Sequence, residues 1–219
     1  MIDPRAALIE AEPRIVTLGF LDAPVDDIAA SLSTLCDDAN LRASGHRSAS
    51  TTLTTTVETL LSGDQNALNA ALLPTTSNRW TALVVNPDRL FDLGGVLGLL
   101  TKVNRWQAVQ VTHVDRRWDL GHDAAPEQVA CEYQHVYPDG AGRVFPRVVG
   151  WRMVSDGALD FYEIGVRRSY EHLASYARER VDHRLQRQHL EVYAQQNGIE
   201  FTSPSFYQGP ATIQTFHRT

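Results

Sequence analysis

The chain has 219 residues, of which 43% are hydrophobic and 21% charged, enough to bury a core as one domain or as two small fused halves. Its formal net charge of -6 lies wholly within residues 1–40, where eight acids face only Arg5 and Arg14; without a basic surface, general nucleic-acid binding is excluded. No apolar run approaches the ~20 residues of a membrane helix, and Cys36 and Cys131, with no Cys-x-x-Cys pair, support neither a disulfide framework nor a cysteine-based zinc module.

The first residues, "MIDPRAALIEAEPR", place acids and a proline where a signal peptide carries basic residues and then an apolar run. An intracellular, cytoplasmic protein with no membrane contact is expected. Residues 14–23, "RIVTLGFLDA", read as a strand. "PVDDIAASLSTLCDDAN" follows as a helix, with Pro24 in its first turn, Asp26 and Asp27 at its positive end, and Ile28, Leu32 and Leu35 as its apolar stripe. "RASGHRSAS" reads as a loop. The β-branched run "TTLTTTVETLL" predicts a strand, and "GDQNALNAALL" a short helix stopped by Pro74.

The second half opens in the same way. "RWTALVVN" predicts a strand and "PDRLFDLGGVLGLLTKV" a helix. Gly94, Gly95 and Gly98 raise the question of a phosphate-binding turn. No Gly-Lys-Ser/Thr follows them, and G-x-G-x-x-G at a strand-to-helix turn is missing, so the glycines are expected inside the helix, letting a neighbouring backbone come close. Three strand stretches come next, "WQAVQVTHVDR", "EQVACEYQHVYP" and "RVVGWRMVSDGALDFYEIGV"; the last is long enough for two strands turning at Ser155-Asp156-Gly157. A long C-terminal helix is predicted over about Tyr170 to Asn197, stopping at Gly198. Residues 199–219 show no period.

The pattern predicts an α+β fold: a mostly antiparallel sheet covered by helices, two similar strand-helix-strand halves, and a long C-terminal helix. The halves are drawn at 1–75 and 76–198, with an irregular tail at 199–219, together forming one compact unit.

Two groups of residues invite a functional reading. In a hairpin centred near Gly121-His122, His113 falls opposite Cys131, while Cys131, Tyr133 and His135 share a strand face. Imidazole and thiol could meet there, but ligand spacing of the kind zinc sites show is lacking, so neither metal nor cofactor is expected. The intervening turn carries Arg116, Arg117, Trp118, Asp119 and Asp123, an aromatic anchor among charges of both signs, as binding interfaces favour. His172 and His183, eleven residues apart, would share a face of the C-terminal helix. Asp160 and Glu163 could in principle act as paired carboxylates, although they alternate with apolar residues along a strand. No G-x-S-x-G or H-E-x-x-H is present.

The expected function is that of a non-enzymatic binding protein, such as an inhibitor or immunity-type protein for a basic protein partner. Its surface would be Asp26, Asp27, Asp37 and Asp38 or the Trp118 loop. The alternative is an enzyme or small-ligand binder with a pocket lined by His113, Cys131, Tyr133 and His135.

Overall fold

The computed structural model describes residues 16–39, 41–50, 52–61, 67–85, 92–113, 128–154 and 157–218. In chain order these form β1 (Val16–Leu21), α1 (Val25–Asp38), β2 (Leu41–Ser50), α2 (Leu53–Leu61), β3 (Leu68–Pro74), β4 (Thr81–Val85) and α3 (Leu93–Asn104). There follow β5 (Ala108–His113), β6 (Gln128–Pro138), β7 (Val144–Met153), β8 (Leu159–Ile164), α4 (Leu173–Tyr176), α5 (Arg187–Gln195) and β9 (Pro210–Arg218). The nine strands make one sheet in the order β2-β9-β3-β4-β1-β5-β6-β7-β8, antiparallel at every step.

At the centre of the sheet, β4-α3-β5 straddles β1, and the chain from β1 through α1 to β3 straddles β4. This is a split β-α-β connectivity, with β2 and α2 inserted between α1 and β3. A boundary at residue 75 therefore runs through a continuous sheet. The mixed α+β class follows, and among the described residues no helix is long and apolar enough to cross a membrane.

Strand alternation sends side chains to two hydrophobic clusters. Leu21, Leu72, Leu83, Ala108 and Val136 meet Ile28, Leu32 and Cys36 of α1 and Leu93, Leu97 and Leu100 of α3. Leu18, Phe20, Leu73, Val109, Tyr133, Val149 and Trp151 meet Leu53 and Leu60 of α2, Tyr176 of α4, and Leu190 and Tyr193 of α5.

Four segments differ from the sequence expectation. Residues 51–61, read as a strand, hold α2. Its Leu53, Thr56 and Leu60 are buried at helical spacing, while Thr56 and Thr59 hydroxyls donate to the carbonyls of Thr52 and Thr55 one turn back. Residues 63–73, read as a helix, hold β3; from Leu68 to Leu73 every residue is buried, because this strand has packing on both faces. "RASGHRSAS", read as a loop, is most of the edge strand β2, ordered by backbone pairing with β9. The tail read as irregular supplies β9 itself, an interior strand between β2 and β3.

The long C-terminal helix is also corrected. The chain forms α4, a 3-10 turn at Val181–His183, and then α5. Tyr176 and Leu185 are both buried in the same cluster. They are nine residues apart, and at about 100° per residue a continuous helix would put them on opposite sides. Breaking the helix lets both face the sheet. Ser175 Oγ donates to the carbonyls of His172 and Arg184, and the Trp151 indole donates to the Leu185 carbonyl at 2.8 Å, so the break is tied down at both ends.

The glycines of α3 likewise differ in role. The helix begins at Leu93, capped by Asp92, whose carboxylate accepts from the Gly95 N–H at 3.0 Å. Gly94 lies against the Gln134 and Gln110 side chains, and Gly98 has open space beside it, so no neighbouring backbone is admitted. An acid already occupies this helix start, which disfavours phosphate there.

Candidate functional site

β6 places Cys131, Tyr133, His135 and Tyr137 on one face. The expected register is present, with His113 paired to Cys131 across β5 and β6. Cys131 is buried and its thiol is pushed well up by desolvation and then by the Glu132 charge, so it is a poor source of thiolate. Among the described residues no three His, Cys, Asp or Glu side chains form a metal-holding group. The strand thus brings Cys131, Tyr133 and His135 together, with His113 partly buried beside Cys131.

Tyr133 is held from several sides. Its hydroxyl receives a hydrogen bond from Asn197 Nδ2 at 2.9 Å and lies 3.3 Å from the Tyr170 hydroxyl. Its ring meets Tyr193 edge-on at 5.5 Å. His135 is different. It is only 8% exposed, and neither ring nitrogen has a hydrogen-bond partner in the protein. Burial lowers its pKa to about 4, with the Arg168 and Arg79 charges adding to the effect. It is therefore a neutral imidazole, with one donor and one acceptor free.

The Arg168 guanidinium lies 4.2 Å over the Tyr137 ring, which is itself 5.3 Å from the His135 ring. Arg168 Nε is buried and also lacks a partner. The segment bearing Arg168 is fixed by a buried ion pair. Arg147, directly opposite His135 on β7, is fully buried and donates to Glu171 from Nε at 2.8 Å and from Nη2 at 2.5 Å. It also donates to Glu163 at 3.1 Å and to the Val148 and Ile164 carbonyls. Glu171 in turn accepts from the Arg168 backbone N–H at 2.7 Å and from the Tyr176 hydroxyl at 2.9 Å. Desolvation alone would raise the Glu171 pKa, but these hydrogen bonds, led by that from Arg147, hold it down. Gly165, at φ +83, passes so close to the Pro146 carbonyl that no side chain fits.

On the opposite face of β6, Glu132 is buried with both carboxylate oxygens in use, accepting from Gln110 Nε2 at 3.1 Å and from the Tyr162 hydroxyl at 2.5 Å. Burial pushes the Glu132 pKa up, the Tyr162 hydrogen bond opposes this, and the Asp92 charge adds to it.

The other sequence candidates scatter. Asp26, Asp27, Asp37 and Asp38 are all exposed along α1, and Asp26 and Asp37, like Asp27 and Asp38, are three turns apart on one side. Arg116, Arg117, Trp118, Asp119 and Asp123 lie outside the described residues. Asp160 and Glu163 are not a pair: Asp160 contacts Arg152 and Glu163 contacts Arg147 and Arg167. His172 stacks on His189 at 5.6 Å, while His183 lies in the separate 3-10 turn.

Sequence reasoning found His135 and Tyr133 through strand alternation. It missed Tyr137, Arg168, Tyr170 and Asn197. Tyr137 was visible in the same alternation, two residues beyond His135. Arg168, Tyr170 and Asn197 reach the site through turns and a broken helix that carry no period.

No protein-family model, curated protein or solved structure matches this chain.

Proposed function

We propose that this chain is an intracellular binding protein that takes a small polar molecule beside His135. The observation that carries the reading is a nine-tenths-buried imidazole with both nitrogens unpartnered, next to the equally unpartnered Arg168 Nε. Buried polar groups left without partners cost about 1–3 kcal/mol each, and a ligand supplying the missing partners recovers that cost. The raised thiol pKa of Cys131 favours binding over nucleophilic chemistry on this face. Thermal-shift screening of polar metabolites against the wild type and His135→Leu tests the reading. Compounds that stabilise only the wild type are expected. A library in which every compound acts equally on both proteins, or on neither, overturns it.

A second reading concerns α1. Its four exposed aspartates on one side favour the basic-protein partner expected from charge. Replacing all four with asparagine should slow association with such a partner, and that slowing should vanish at high salt. An unchanged on-rate at low salt refutes it.

A further inference from the structure

We infer that the ligand beside His135 is an oxyanion, a carboxylate or a phosphate, held by the Arg168 guanidinium and the His135 N–H. This rests on the small-molecule reading above and adds the chemical class.

Arg168 brings a positive charge to this place that no carboxylate among the described residues offsets. The other charged groups around this place are already partnered. Arg147 is neutralised by Glu171 and Glu163. Glu163 also pairs with Arg167. Arg79 is ion-paired with Asp22, donating to the one oxygen Oδ2 from Nε at 3.1 Å and from Nη2 at 3.0 Å. Arg168 alone has no carboxylate among the described residues; its guanidinium stacks on Tyr137, and its Nε is shut away from water. Arg168 is half-buried and keeps its charge, and an anion at its fork would supply the partner that the enclosed Nε lacks. Its planar fork suits two oxygens at once. Stacking on Tyr137 holds that plane and leaves the edge N–H groups available. Beside it, neutral His135 can donate one N–H to the anion and keep one acceptor for a ligand hydroxyl. The Tyr133 and Tyr170 hydroxyls lie 3.3 Å apart on the same side. The acids on this side, Glu163 and Glu171, are both ion-paired with arginines, which offsets their repulsion of an anion.

Binding and protonation are linked reciprocally, so an anion at Arg168 must make His135 easier to protonate. The test is a histidine NMR titration of the full chain in three media of equal ionic strength: sodium chloride, sodium phosphate and sodium benzoate. His135→Gln assigns the resonance. In chloride His135 should titrate near its unliganded value of about 4. In phosphate or benzoate the midpoint should rise saturably by about one pH unit or more, and the medium that produces the rise identifies the source of the oxyanion. Arg168→Met should abolish the response to both anions, and Arg168→Lys, which keeps the charge but not the fork, should weaken it. Amide-resonance dispersion and a cooperative thermal melt report that each variant is folded. Identical His135 midpoints in all three media, or an undiminished rise in Arg168→Met, overturn the inference. If only uncharged compounds perturb His135, the oxyanion fails and the small-molecule reading survives. If the thermal-shift screen also fails to separate wild type from His135→Leu, both fall.

Discussion

Burying His135 without partners has a consequence that acid exposes. Its folded pKa of about 4 lies below the ordinary 6.5, so between those values the unfolded chain binds more protons than the folded one. Stability is complete above about pH 6.5 and falls as the pH drops towards 4, by about 3 kcal/mol at the lower end. His189, whose ring accepts from the Gln186 N–H at 2.9 Å, also has a lowered pKa, from burial first and then the His172 charge, so its contribution to stability falls with pH in the same direction. Urea unfolding of wild type and His135→Leu at pH 7 and pH 4 separates the two: the variant should gain on the wild type by about 3 kcal/mol at the lower pH. A gap that does not change with pH would mean His135 is not buried neutral. The Arg147–Glu171 pair makes a second residue-scale prediction. Glu171→Leu leaves a fully buried guanidinium with only Glu163 to face and should cost about 3–5 kcal/mol. Urea denaturation showing a loss below about 1 kcal/mol would contradict the role given to Glu171.

At the scale of elements, the decisive feature is the turn out of β8. Gly165 combines a left-handed φ with a close approach to the Pro146 carbonyl, and the chain then runs through Arg168 to Glu171. Gly165→Ala adds a Cβ that collides with backbone and cannot be moved aside cheaply. It should cost about 1–3 kcal/mol or more and also shift Arg168 off Tyr137. Thermal melting combined with quenching of the His135 anion response reads both. A variant with unchanged melting and response would show that the turn does not position Arg168. The elements also explain where periodicity misled. In α2, threonine composition argued for a strand while the spacing of Leu53, Thr56 and Leu60 was helical; spacing prevailed because burial rewards it more than β-propensity does. In the region after Tyr170, one helix stopping at Gly198 was expected. The need to bury both Tyr176 and Leu185 broke it.

At the scale of the molecule, β9 is the strand through which the C-terminus joins the sheet interior. It pairs with β2 over residues Pro210–Arg218 and with β3 on its other edge. Removing residues 210–219 strips β2 of its partner in the sheet and opens β3 to water. The truncated chain should lose cooperative unfolding, or aggregate, at concentrations where the full chain melts in one step. A single denaturant transition with an unchanged m-value in the truncated protein would refute this.

Local chemistry determined what sequence could say unaided. The first strand and helix, the helix ending near Asn104, the β5–β6 register that opposes His113 to Cys131, and the β7–β8 turn near Gly157 follow from alternation, capping and turn preference, all of which act between close neighbours. Tertiary structure alone decided that β3, rich in alanine and leucine, is a strand, since its packing on two faces comes from distant segments. It also decided that the polar stretch 42–50 pairs with a strand over 160 residues later. The candidate site divides along the same line. His135 was legible because its place on β6 is a matter of parity. Arg168 and Asn197 were not, because a buried ion pair, a left-handed glycine and a broken helix bring them there. Such contacts are fixed by the free energy of the whole fold and leave no local period.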